Sequence, residues 1–101
     1  MATGSHARHR LDDVIHSPVR LSIVASLNTV EEADFATVRD AVEVSDSTLS
    51  KQVSALEKAG YVRVKKGFVG KRPRTRLSLT KEGVAAFHRH LEALRAIAEG
   101  G

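Results

Sequence analysis

The stretch Ser45 to Gly60, SDSTLSKQVSALEKAG, constrains the chain most, because it combines two helix boundaries with a single apolar stripe. Ser45 is a favourable N-cap, since its hydroxyl accepts a bond from a first-turn amide. Gly60 stands where a helix exits through a left-handed residue. Between them Leu49, Val53 and Leu56 recur at i, i+4 and i+7, the spacing of one buried helical face. The opposite face carries Ser47, Lys51, Ser54 and Lys58, flanked by Thr48 and Gln52. Small polar residues permit close approach to a surface, while Lys and Gln reach phosphates or base edges. The stretch reads as a recognition helix. The same pattern also fits an ordinary amphipathic helix with a solvated outer face, so the neighbouring segments must decide.

After Gly60 the period of the apolar pattern changes from helical to alternating. In Tyr61–Lys66, Val62 and Val64 point one way while Arg63 and Lys65 point the other, the mark of a half-buried strand. Residues 67–73 form a loop punctuated by two glycines and a proline. From Arg74 to Thr80, Leu77 and Leu79 face inward and Arg74, Arg76 and Ser78 outward. The expected product is a two-stranded hairpin with a basic tip of Lys71, Arg72 and Arg74. Charge sharpens this reading. Residues 61–80 hold seven Lys/Arg and no acid, whereas residues 1–60 hold six Lys/Arg against nine Asp/Glu. The net charge of +4 is therefore concentrated in one segment, a footprint for a polyanion.

Ahead of the recognition helix, residues 1–10 lack periodicity and read as a flexible arm or a tag remnant, with residues 11–100 as the folded domain. Leu11–His16 forms a short helix with Leu11, Val14 and Ile15 on one side. Ser17 caps the next helix, with Pro18 at its first position, and this helix runs to about Asn28, burying Leu21, Ile23, Val24 and Leu27. Arg20 falls inside that apolar arc and requires an acidic or carbonyl partner. Glu31, Glu32 and Asp34 mark an exposed acidic turn, and Phe35 enters the core, either directly or from a short strand. Ala36–Val42 is a helix with Val38, Ala41 and Val42 inward. Glu43–Ser45 is the turn of a helix-turn-helix, and the following hairpin is its wing.

Thr80 caps the last helix, in which Val84, Phe87, Leu91, Leu94 and Ala98 follow an a/d-like spacing. A terminal helix of a small domain has little core left to cover. The seam is expected to pair with a second copy, or with the partner's Leu11–Ile15 segment. The fold class is α+β, mainly α: a winged helix-turn-helix with a two-stranded wing and N- and C-terminal dimerisation helices.

Composition excludes other classes. With no cysteine there are no disulfides, thiolate metal sites or cysteine nucleophiles. His88 and His90 lie two apart on a helix and diverge by about 200°, and no base–orienter arrangement accompanies the serines. No enzyme, metal site or cofactor is expected. No apolar run reaches membrane-spanning length, so a cytoplasmic protein is expected. With aromatics at 4%, stacking platforms for single strands are not expected.

Three runs, HSPVRLSIVASL, DSTLSKQVSALEKAGYV and GKRPRTRLSLTKEG, resemble the small winged-helix transcriptional regulators of the MarR/ArsR type, most nearly the short single-domain MarR-like branch. The resemblance spans about residues 17–97. It implies a homodimer on double-stranded DNA, with recognition helices in successive major grooves and wings on backbone or minor groove. Carried onto this chain, it implies base and phosphate contacts from Ser47, Thr48, Lys51, Gln52 and Ser54, with Arg72 and Arg74 at wing positions. The expected role is a repressor on a roughly palindromic operator. The alternative is a winged-helix module for protein or RNA interaction. Metal-sensing cysteines are absent and there is little room for a ligand pocket, so no small-molecule effector is specified.

Overall fold

In the structure, a computed structural model, residues 5–101 are described. Four helices and three strands follow in the order α1 (Pro18–Leu27), β1 (Ala33–Asp34), α2 (Phe35–Val42), α3 (Asp46–Lys58), β2 (Val62–Val69), β3 (Arg72–Leu79) and α4 (Lys81–Ala98). Each long helix begins where a hydroxyl closes its first turn. Ser17 accepts from the Arg20 amide, Ser45 from Thr48 and Thr80 from Gly83. No helix among the described residues is long and apolar enough to cross a membrane.

The core lies where α1 and α3 cross the sheet. Ile23, Val24 and Leu27 of α1 meet Leu49, Val53 and Leu56 of α3, with Val38, Val62, Leu77 and Phe87 closing the cluster. The sheet has three strands rather than two, in the order β1-β3-β2. Ala33 pairs with Leu77 and Asp34 with Arg76, so Leu77 sits in a central strand and is fully buried. The acidic turn therefore leads into a short strand just before Phe35, one of the two routes that the sequence allows. Phe35 follows it as the first residue of α2, half-buried against the core. Ala41, expected inward, is exposed, because α2 has only eight residues and one buried position, Val38.

The hairpin is longer than the sequence indicates. Gly67 pairs with Arg74 and Phe68 with Pro73, and the ladder continues to Val69–Arg72. Only Gly70 and Lys71 turn. Gly70 takes φ +62°, the positive value that a two-residue hairpin turn requires at its first position. Pro73 is tolerated because β1 covers β3 only at Arg76 and Leu77, leaving the outer part of β3 with an unpaired side.

Residues 7–16 depart furthest from expectation. Residues 1–4 of the expected arm lie outside the described residues. Ala7–Arg10 form a 3-10 turn on α4, and Ala7 is buried. Leu11–His16 is not a helix, because the Asp12 side chain competes for its amides. Asp12 Oδ1 accepts from Val14 at 2.9 Å and Ile15 at 3.1 Å, and Oδ2 accepts from the Tyr61 hydroxyl. The Asp12 amide donates to Nδ1 of His90 at 3.0 Å. His90 is fully buried, and burial, reinforced by the neighbouring His16, lowers its pKa. Ile15 is likewise fully buried inside its own chain. It is core and not a free interface residue.

Two close approaches fix the wing to the helices. Helix α3 ends in a Schellman motif, with the Tyr61 amide on Leu56 O at 3.0 Å and the Gly60 amide on Glu57 O at 2.9 Å. Gly60 takes φ +84°. Helix α4 then starts against the same corner, and a Cβ at Gly83 would lie 2.2 Å from the Tyr61 carbonyl oxygen. Gly83→Ala should therefore destabilise the domain by about 1–3 kcal/mol through overpacking, despite alanine's better helix propensity. Denaturant titration should show a lower midpoint with an unchanged slope.

Candidate nucleic-acid interface

Burial of Leu49, Val53 and Leu56 turns the rest of α3 outward. Ser47, Lys51 and Ser54 are exposed and Thr48 and Gln52 half-buried, so all five predicted residues share the outer surface or its flanks. Their freedom differs. The Thr48 hydroxyl bonds Ser45 Oγ at 3.1 Å, and Ser45 and Ser47 hydroxyls lie 3.2 Å apart. These short side chains are ordered by the cap. Gln52 is held more firmly, because its Oε1 accepts from Arg20 Nη1 at 2.7 Å.

That contact resolves the cation inside the α1 apolar arc. Arg20 Nε also donates to the Val14 carbonyl, giving the expected carbonyl partner plus an amide on the neighbouring helix. Arg20 thus ties the N-terminal segment, α1 and α3 together. It leaves the Gln52 amide nitrogen as the group still able to donate outward. Lys51 makes no ion pair among the described residues. At the front of α3, Arg39 bridges Asp40 at 3.0 Å and Asp46 at 2.8 Å.

The wing cations divide into two sets. Arg74 grips Asp34 through two bonds, Nε to Oδ1 at 2.9 Å and Nη2 to Oδ2 at 3.2 Å. Arg76 bonds Glu32 at 2.9 Å. The Arg74 guanidinium, with smaller help from Arg76, holds the Asp34 carboxyl below the usual carboxylate range. Exposed pairs of this kind contribute little to stability, but the two-pronged geometry fixes the hairpin base to β1. Arg74 is therefore engaged within the fold rather than free at the tip. Arg63, Lys65, Lys66, Lys71 and Arg72 are exposed and make no ion pair among the described residues. Lys71 and Arg72 stand at the tip, as the sequence indicates.

A groove between α3 and the hairpin is lined by Ser50, Ser54, Glu57, Lys66 and Thr75. Ser50 and Lys66 escaped the sequence reading. Ser50 lies one turn before Ser54 and so shares its side of the helix, and Lys66 belongs to the acid-free run. Both signals were present. What sequence alone lacked was the register that sets the hairpin beside that side of α3. The terminal helix gives a mixed outcome: Phe87 is 7% exposed and part of the core, Leu94 is half-buried, and Val84 and Leu91 are exposed at 37% and 40%.

A model of the winged helix DNA-binding domain matches residues 19–98. A transcriptional regulator homologue from Pyrococcus horikoshii OT3 superposes with a TM-score of 0.80 at 29% identity, over 86% of each chain. A MarR-family regulator from Enterococcus faecalis V583 gives a TM-score of 0.73 at 21% identity, over 98% of this chain and 87% of that one. An uncharacterized protein of Methanocaldococcus jannaschii is 28% identical over 78 residues, 77% of this chain and 85% of its own length. With a basic hairpin beside an exposed polar helix face, and a match over residues 19–98, the chain belongs to the winged helix DNA-binding domain family, and its structural neighbours are MarR-family and related transcriptional regulators.

Proposed function

We propose that this protein is a sequence-specific, double-stranded-DNA-binding transcriptional repressor that acts as a homodimer on a roughly palindromic operator. The observation that carries the reading is the segregation of charge. Cations at the base of the wing are neutralised by Glu32 and Asp34, while Lys65, Lys66, Lys71 and Arg72 remain exposed on the hairpin, with Lys66 lining the groove beside α3. Unpaired cations flanking a narrow polar helix suit a groove walled by phosphates. Ser47, Lys51, Gln52 and Ser54 then face base edges and adjacent phosphates, with Thr48 and Ser50 at the flanks. Lys71 and Arg72 contact backbone, and Arg74 sets the angle of the hairpin.

This division gives a discriminating experiment. Lys71→Ala and Arg72→Ala should each weaken binding to every duplex and flatten the log K against log[salt] slope by about 0.9. Arg74→Ala should leave that slope nearly unchanged. Binding and slope untouched by the two tip substitutions would place the wing away from DNA.

Dimerisation rests on the exposed apolar pair of α4. Val84 and Leu91 lie seven residues apart on one face, the repeat of a helix pairing seam. A two-fold pairing there doubles the contacts and sets half-site centres about 34–36 Å apart. Val84→Asp with Leu91→Asp should give a helical monomer by circular dichroism and light scattering, with operator binding lost though every proposed DNA contact is intact. A native protein that stays monomeric at micromolar concentration, both free and on DNA, would contradict the dimer.

A further inference from the structure

The tip of the wing carries an apolar pair that neither the core nor the ion pairs use. Phe68 is 74% exposed and Val69 is 53% exposed, in a segment otherwise made of cations, glycine and proline. Elsewhere the chain puts its phenylalanines to structural use: Phe87 is 7% exposed and Phe35 packs against the core. The pairing register places Phe68 on the hairpin face shared by Val62, Val64 and Lys66, opposite Pro73. Val64 and Lys66 of that same face line the groove beside Ser50 and Ser54 of α3. The ring therefore projects beyond that groove on the side where α3 presents its polar surface. Free cations surround it, with Lys66 two residues before and Lys71 and Arg72 across the turn.

We infer that Phe68 is an apolar wedge that enters the minor groove of duplex DNA and partly unstacks one base step. This rests on the DNA-binding reading proposed above and deepens it. The cationic collar points to a polyanion as occupant, since an apolar protein partner gains nothing from it and would have to desolvate it. A phenyl ring offers no hydrogen bonds to base edges, so its gain comes from stacking and from the bend that unstacking permits. The unstacking cost is lowest at pyrimidine–purine steps. The wing thereby adds a preference for TA or CA/TG steps where its tip meets the minor groove, without a polar base contact.

The test uses the intact chain and duplexes selected by it from a random library. The chain has no tryptophan, so Phe68→Trp introduces a single indole reporter. On saturation with duplex its emission should be quenched and shielded from iodide. Phe68→Ala should weaken binding about tenfold on duplexes with a pyrimidine–purine step under the tip. It should change little on duplexes lacking that step, and the salt slope should hold because no phosphate contact is lost. Unchanged indole emission on a saturated duplex, or equal affinity of Phe68→Ala and the native chain on both duplex types, would overturn the wedge while leaving DNA binding intact. Quenching that rises with protein concentration in the absence of DNA would overturn it in favour of a contact between copies. Failure of the native chain to bind any duplex would remove the DNA-binding reading and the wedge together.

Discussion

Everything in this domain depends on how α3 is seated. Leu49 and Leu56 are fully buried and Val53 is 4% exposed, and each such side chain contributes about 1.5–3 kcal/mol on leaving water. Rotating α3 by even one residue would trade that stripe for Ser50, Ser54 and Glu57. The rotation of the helix is thus set by its own core face, and its polar face is set with it. The Schellman exit at Gly60 and the contact of Gly83 on Tyr61 pass that orientation to the hairpin. The polar helix face and the basic wing are consequently parts of one rigid arrangement.

Electrostatics then refine what packing supplies. Acids are spent where geometry is needed. Asp34 and Glu32 hold the wing base, Asp46 takes Arg39 at the head of α3, and Asp12 gathers the N-terminal segment onto Tyr61 and His90. On α3, Lys51 makes no ion pair among the described residues, and at the hairpin tip neither do Lys71 and Arg72. A net charge of +4 understates the local field, because residues 61–80 hold seven Lys/Arg and no acid of their own. Arg20 shows the same economy in the interior, where one guanidinium satisfies a carbonyl and orients Gln52.

The elements legible in the sequence are those governed by local rules. Ser17, Ser45 and Thr80 cap the helices they were expected to cap, and the helix-turn-helix spacing and the hairpin follow from period alone. The parts that were not legible depend on distant partners. Nothing local announces that Ala33 will pair with Leu77, or that Arg74 will find Asp34 forty residues earlier. The Leu11–His16 segment has helical spacing, yet Asp12 diverts its amides, Val14 packs against the chain's own core and Ile15 is fully buried. The a/d-like repeat of α4 divides between two environments. Its Phe87 serves the monomer, and of its large apolar residues Val84 and Leu91 are exposed, because a repeat reports which side of a helix is apolar and not what covers it.

In the proposed complex the exposed face of α3 lies in the major groove. Dimethyl sulfate reads this directly, since it methylates guanine N7 there. On a duplex selected by the protein, guanines should be protected in two clusters about one helical turn apart. A saturated complex in which no guanine N7 is protected would contradict the claim.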